Sequence, residues 1–473
     1  VIIKIWRNSG KLGIIRRLIL ALGILFTMSS TYGADKISAA NAAAGYMPWT
    51  WNSSARILED NSNMWFADVN GDGKADMITK GEAGAWNAGF VYVALSNGTG
   101  YPSWTWYSGK RMIDDNSTIW FADVNGDGKA DMITKGQAGA LNAGYIYVSL
   151  SNGNGYSGWT WNSSARILED NSKLWFDDVN GDGKTDLIIK GEAGASNAGF
   201  VYVALSNGTG YPAWTWSSGK RMIDDNSTIW LADVNGDKKA DLLTKGQPGA
   251  ANAGFVYVSL STGSSYPFWN WYSGRRMIDD NGSMWFADIN GDGKSDLVSK
   301  GQTGAANSGQ VYVSLSNGTG YPWWTWDSGS KMFDNNSGIA FADVDGDGKT
   351  DLLGVGEAGA INDGWVNFSL STGTGFEPWT WNSGRKIVND TSSLWLADVN
   401  GDGKSDIITK GAAPGPTAGF VFVALSTYLD LTKTQYEYNA AGQLKTITYP
   451  DGTKIYYEYD NNGNLISRKK IIT

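Results

Sequence analysis

The chain has 473 residues, 42% of them hydrophobic, and a formal net charge of -9, so it can build more than one ordinary core. It contains neither Cys nor His. That excludes disulfides, thiolate or histidine metal sites, and catalysis of the Cys–His or Ser–His–Asp kind. An acidic balance with no basic stripe argues against nucleic acid as a partner, while 24 Trp, 22 Tyr and 62 Gly point to an all-β chain with tight turns.

The first element in chain order reads as a leader. Lys4, Arg7, Lys11, Arg16 and Arg17 precede an apolar run of 11 residues from Leu18 to Met28, and the small residues of SSTYGA follow. This is the pattern of a secretory signal cleaved near Gly33 or Ala34. The run is too short for a span, which needs about 20 apolar residues. The expectation is a signal peptide over 1–34, a linker over 35–44, export to a secreted or cell-surface location, and no membrane span after cleavage.

From residue 45 the chain repeats with a step of 55 residues. The Asp that opens DVNGDGKADMITKG falls at Asp68, Asp123, Asp178, Asp233, Asp288, Asp343 and Asp398, and a WTW or WNW landmark keeps the same step from Trp49 to Trp379. A fixed period of this length signals a repeat architecture. In the first unit, strands are expected over 64–70, 75–80, 89–98 and 104–113, where β-branched and aromatic residues are bounded by Gly, Asn and Pro. On 104–113, strand alternation would put Trp104 and Trp106 on one face. Four strands per unit, repeated in a circle, make a β-propeller. The units are out of phase at the ends: 49–57 has no Asp-rich loop before it, and 419–426 has no WTW strand after it. The N-terminal strand is therefore expected to close the last blade, giving a seven-bladed propeller of four-stranded blades over 45–428.

Between the first two strands of the first unit, oxygen-bearing residues alternate with glycine. Asp68, Asn70, Asp72 and Asp76 occupy positions 1, 3, 5 and 9, and Lys74 at position 7 can offer its carbonyl. Calcium is a hard cation that takes six to eight oxygens, and Gly71 and Gly73 permit the winding that gathers them. An EF-hand would need Glu at position 12 and helical flanks; here position 12 is Thr79, in a strand-like run. The alternative is a set of Asn-Gly and Asp-Gly turns with solvated carboxylates, and seven copies keeping all four side-chain oxygens argue against it.

The motif FADVNGDGKADMITKG followed by GFVYVALSNG, in seven in-phase copies over 45 to about 427, resembles FG-GAP or VCBS repeats, the blades of the integrin alpha-subunit propeller. The resemblance implies calcium loops between the first two strands of each blade, and it carries the ligand set onward. The second loop would use Asp123, Asn125, Asp127, Lys129 and Asp131; the third Asp178, Asn180, Asp182, Lys184 and Asp186. The fourth would use Asp233, Asn235, Asp237, Lys239 and Asp241; the fifth Asp288, Asn290, Asp292, Lys294 and Asp296. The sixth would use Asp343, Asp345, Asp347, Lys349 and Asp351; the seventh Asp398, Asn400, Asp402, Lys404 and Asp406. In the fourth loop Lys238 replaces the second glycine and must reach the same turn without glycine's freedom, which makes it the weakest site. Up to seven structural Ca2+ ions are expected.

The last segment, 429–473, changes character. YEYNAAGQL and YEYDNNGNL stand 21 residues apart, with ITYPDGTKIY between them as a hairpin turning at Asp451-Gly452. These resemble RHS or YD repeats, known from polymorphic toxins and insecticidal toxin complexes. Two hairpins bury little, so poor packing is expected.

A propeller does not fix a function. The leading expectation is a secreted, calcium-binding, non-catalytic binding or scaffold module of an RHS- or toxin-related protein. Its partner would be an extracellular glycan, a protein surface, or other parts of such an assembly. One alternative is a lectin using the grooves between blades; another is a His-independent polysaccharide-active enzyme, although no carboxylate pair marks a unique active site. Opposite the Asp loops fall a cationic column (Arg56, Arg111, Arg166, Arg221, Arg276, Lys331, Lys386) and, four residues on, a column of Asp60, Asp115, Asp170, Asp225, Asp280, Asn335 and Asp390. Asn87, Asn142, Asn197, Asn252, Asn307 and Asn362 form a third, from which Thr417 departs. These columns read as blade-to-blade salt bridges and turn residues, or as repeated polar ligand sites. The column Trp65, Trp120, Trp175, Trp230, Trp285, broken at Ala340 and resumed at Trp395, reads as inter-blade core.

Overall fold

The computed structural model describes residues 45–471 except 47–48, 60–61, 116, 168–171, 335–336, 389–393, 413–414, 428–434, 440–442, 450–452 and 461–463. The expected leader and linker, and the Asp451-Gly452 turn, lie outside the described residues.

The regular elements described are all strands. A short strand β1 (Trp51–Asn52) comes first, followed by β2 (Met64–Ala67), β3 (Asp76–Lys80), β4 (Val91–Ala94) and β5 (Trp106–Tyr107). The last four pair antiparallel in sequence order as one sheet. β3 is buried along its whole length, as a short apolar strand between two covered faces should be. The same four-stranded sheet recurs at the 55-residue step, and among the described residues seven such sheets lie between 51 and 424. The chain is thus an all-β propeller.

The strands are shorter than the apolar runs suggest. β2 ends where Asp68 begins to fold its loop, and β5 keeps two ladder residues because the chain turns away at Gly109, whose φ is 64°. Trp104 and Trp106 consequently do not share a face. Trp106 sits opposite Val93 and meets Tyr156 of the next blade edge-on at 6.0 Å, whereas Trp104 packs on Tyr92 at 5.5 Å.

The ends of the domain meet as the phase offset predicts. β1 pairs antiparallel with Val421–Ala424, placing Trp51 opposite Val423 and Asn52 opposite Phe422. Thr50 N–H donates to the Val423 carbonyl at 2.8 Å, Ser53 N–H to that of Val421 at 2.9 Å, and Tyr46 bridges to Ser426. The first strand therefore completes the last sheet.

The core lies between neighbouring sheets, and the tryptophan column belongs to it. Trp65 packs on Phe121 at 5.8 Å, Trp120 on Phe176 at 5.4 Å, and Trp395 on Phe66 at 5.7 Å across the closure. At Ala340 the same position is filled by a smaller side chain beside a cluster holding Tyr46 and Phe368.

The tail forms a separate four-stranded antiparallel sheet of Gln435–Tyr438, Leu444–Thr448, Lys454–Tyr459 and Leu465–Ile471. Irregular registers at Glu437/Tyr438 and Glu458/Tyr459 repeat at the 21-residue step. Ile455 is buried, while the last strand is exposed along most of its length, so the sheet covers little apolar surface.

Candidate metal loops and inter-blade pockets

The residues from Asp68 to Asp76 wind into one compact loop. Asp68 Oδ1 accepts from the N–H groups of Gly71 (2.6 Å) and Asp72 (3.2 Å), and Oδ2 accepts from that of Gly73 (2.8 Å). Asn70 Oδ1 accepts from Asp72 N–H at 2.9 Å. Gly71 and Gly73, at φ 79° and 82°, supply the left-handed turns that bring these donors round. Asp76 is fully buried: its Oδ2 takes the N–H of Val69 at 2.9 Å and its Oδ1 that of Ser96 at 2.8 Å. A carboxylate has about four lone-pair sites, so each oxygen keeps one. Asp72 Oδ2 lies 2.8 Å from Lys74 Nζ, so position 5 faces a lysine.

Every expected ligand residue lies among the described residues, and the seven loops share this plan. The fourth follows it too: Lys238 adopts φ 65° and donates its N–H to Asp233 Oδ2 at 2.7 Å, doing glycine's work in the left-handed region. Burial, set against two backbone N–H bonds, pushes the ninth-position carboxyls up: Asp76, Asp131 and Asp296 to about 6, Asp186, Asp241 and Asp406 to about 7, and Asp351 to about 8. The sixth loop differs in carrying a carboxylate at position 3. There Asp343, Asp345 and Asp351 each place one carboxylate oxygen within 4.8 Å of the others.

The loops are joined. The N–H at position 8 of each donates to the position-1 carbonyl of the loop before it, from Ala130 to Asp68 (2.7 Å) round to Ser405 to Asp343 (2.8 Å), and Ala75 to Asp398 (2.7 Å) closes the circle. Ser96 adds a second tie, its hydroxyl donating to the Val399 carbonyl at 2.6 Å.

The opposite ends of the strands carry the polar columns. Arg111, Arg221 and Arg276 pair with Asp115, Asp225 and Asp280 at 3.0–3.1 Å within one connecting segment, so these ion pairs brace the connections rather than crossing from blade to blade. Lys331 turns to Asp334 at 3.0 Å, and Lys386 to Asp363 at 2.8 Å. Asp60, Asp170, Asn335 and Asp390 lie outside the described residues. Asn87 turns the chain, its carbonyl accepting the N–H of Phe90, and its amide donates to the Tyr92 hydroxyl at 3.1 Å.

A lysine column went unmarked in the sequence. Lys190 Nζ donates to the carbonyls of Asp224 (2.6 Å), Asp225 (2.9 Å) and Ser227 (2.6 Å). Lys80, Lys135, Lys245, Lys300 and Lys410 reach the equivalent connection of the following blade. The signal was the shared 55-residue step at the end of the second strand, broken at Val355.

Beside these lysines open small polar cavities. One of about 190 Å3 is lined by Asp224, Ser227, Lys245, Asn252, Tyr257 and Trp269, and one of about 150 Å3 by Asp114, Ser117, Lys135, Asn142, Tyr147 and Trp159. The Lys–Asn–Tyr–Trp set runs through the first five units. In the sixth, Gly354, Val355 and Asn367 replace Thr, Lys and Tyr, and Phe333 packs edge-on to Trp379 at 5.3 Å. In the seventh, Thr417 and Phe422 replace Asn and Tyr, with Phe422 5.3 Å from Trp49.

Comparison with known proteins adds two families. The FG-GAP-like repeat model matches residues 68–134, 178–244 and 302–354, and the RHS Repeat model matches 438–470. A T-cell immunomodulatory protein homolog of Plasmodium falciparum is 24% identical over 265 residues, 49% of this chain and 36% of that one; the chain thus spans about a third of that curated relative. Among solved structures, an Agrocybe aegerita lectin that recognises non-reducing terminal N-acetylglucosamine is 23% identical, with a TM-score of 0.47 over 68% of this chain and 80% of that one. The Photorhabdus luminescens Tc holotoxin pore is 16% identical, with a TM-score of 0.42 over 86% of this chain and 18% of that one.

Proposed function

Since the chain carries FG-GAP-like repeats followed by an RHS repeat, we propose that it is an exported, non-catalytic binding module whose propeller is held by calcium. The observation that carries this reading is the repeated loop, which carries hard oxygens at positions 1, 3, 5 and 9 and is bonded to the next loop, and which in the sixth unit brings the carboxylates of positions 1, 3 and 9 within 4.8 Å of one another. The donor set suits a hard cation and no soft one. Positions 1, 3 and 9 of each loop, with the position-7 carbonyl, would hold the ion; position 5 would join them once its lysine swings away. Bound ions would neutralise the gathered carboxylates and clamp the hairpins, giving a rigid platform in a chain without disulfides. The module would present its other face to a partner surface or to the rest of an RHS assembly. Isothermal titration of chelated protein with calcium tests the reading: several sites per chain are expected, and no heat at millimolar calcium would refute it.

The inter-blade cavities favour a second reading, a lectin. A cavity of 150–190 Å3 with an aromatic wall and amide, hydroxyl and ammonium groups suits one sugar ring, stacked on Trp or Tyr. Five units keep the polar set, so multivalent retention on one glycan class is expected. A flat glycan array with folded, calcium-loaded protein would leave the scaffold reading alone.

A further inference from the structure

The ninth-position carboxylates of the seven loops are joined to one another by buried hydrogen bonds. Asp131 Oδ2 accepts the N–H of Val124, in its own loop, at 2.9 Å. The Val124 carbonyl accepts the hydroxyl of Ser206, from the next blade, at 2.6 Å. Ser206 N–H donates in turn to Oδ1 of Asp186, the ninth position of the next loop, at 2.8 Å. The same three bonds recur at every step round the ring. They also cross the closure, where Asp406 holds Val399 N–H at 2.8 Å, Ser96 donates its hydroxyl to the Val399 carbonyl at 2.6 Å, and Ser96 N–H reaches Asp76 at 2.8 Å. The circuit has no open end. Its carboxylates and backbone links are at most 1% exposed, and all its serines except Ser371 at most 9%.

We propose that calcium fills the ring cooperatively, each occupied loop preparing its neighbours, with these serines as the positioning residues that couple one site to the next. The proposal rests on the calcium reading above and adds how the sites depend on one another. In an empty loop the carboxylates at positions 1, 5 and 9 repel, which works against the arrangement an ion needs. A bound ion fixes the ninth-position carboxylate. That carboxylate holds the backbone at the second position of its own loop, and this backbone holds the serine of the next blade. Bonds between groups removed from water are costly to leave unmade, so the serine N–H stands where the next ninth-position carboxylate has to sit. The next ion then meets a ligand that is already ordered, and less conformational entropy is lost on binding, which is positive cooperativity. The coupling is reciprocal, as linkage requires. The position-8 bonds between loops run in parallel, but they join backbone to backbone, whereas the serine path runs through the ligand carboxylates themselves. Repulsion between bound ions acts the other way and is screened by salt.

Native mass spectrometry of the full chain, chelated and then titrated with calcium, counts the bound ions directly. At half saturation the wild type should divide into chains nearly empty and chains nearly full, with partly filled chains scarce. The double variant Ser96→Ala, Ser261→Ala cuts the circuit into two arcs and leaves both N–H groups on their carboxylates. It should raise the partly filled fraction at least about fivefold, the low end of ordinary coupling between sites, with the ion count at saturation unchanged. A merely structural role for the serines would lower the melting temperature of the calcium-loaded chain and leave the spread of ion counts as in the wild type, which overturns the proposal. So does a wild-type spread that follows independent, binomial filling, and that measurement decides by itself should the double variant not fold. Either result leaves the calcium reading standing, whereas a chain that takes up no calcium removes both.

Discussion

Lys238 shows how a repeat tolerates a lapse. Its counterparts in the other loops are glycines at φ 80–84°, and it holds φ 65° with a Cβ. The left-handed region costs an L-residue about 1–2 kcal/mol, and glycine's freer unfolded chain returns about 0.4–1 kcal/mol of that. Lys238→Gly should therefore raise stability by about 0.5–1 kcal/mol in urea melts, and strengthen the fourth loop for calcium. Lys190 carries a second prediction. Burial, with the nearby Lys173 charge, lowers its pKa to about 8, below the unfolded value of about 10.4. Between these values the unfolded chain binds more protons than the folded one, so this residue makes stability rise with pH from about 8 to about 10.4. Lys190→Met should flatten that rise in melting temperature measured across pH. The two residues were not equally legible. Lys238 stood out because it breaks a motif. The lysine column did not, because its partners are backbone carbonyls 34–37 positions away, and carbonyls have no sequence identity.

At the scale of the element, the sequence located the strands by type but overstated their length. Aromatic and β-branched residues continue past the last ladder bond because side chains here also serve the contact between blades: Trp106 is paired in its own sheet, yet its ring covers the next blade at Tyr156. Gly155 makes room for it, since a Cβ there would lie 2.3 Å from the indole. Gly155→Ala should cost about 1–3 kcal/mol through overpacking, read as a lower urea midpoint; an unchanged midpoint would mean the indole has somewhere else to go. The hairpin loops carry the element-scale prediction for metal. Binding to the native state alone stabilises by about 2.7 kcal/mol per site at a hundredfold excess over the dissociation constant, and the loops are bonded head to tail. Chelation should thus lower the melting temperature by far more than one site's worth, in a single step. An unmoved transition in EDTA would end the structural-calcium reading.

For the whole molecule, the phase of the repeats was the most informative feature of the sequence, because a strand without a loop and a loop without a strand at opposite ends have one economical solution. Pairing of β1 with Val421–Ala424 is that solution. Deleting 46–57 should leave the last sheet one strand short and cause aggregation, or loss of the cooperative transition in calorimetry. Deleting 432–473 should leave the propeller's transition in place, because the tail is a separate sheet.

Closure also sets a timetable. The bond between Thr50 and Val423 joins positions 373 apart. At a synthesis rate of about 5–20 residues per second, the first strand waits roughly 20–75 s for its partner to be made. While it waits, Trp49 lacks its partner Phe422 and Trp51 has only Tyr101 of the first blade to pack on, yet each growing blade offers an outer edge normally taken by a strand of almost the same sequence. The most similar competitors for a place in the ring are therefore the chain's own later repeats and the first strands of other chains. Crowded synthesis should favour rings that borrow a neighbour's first strand, so the fidelity of this fold depends on the order in which near-identical parts arrive.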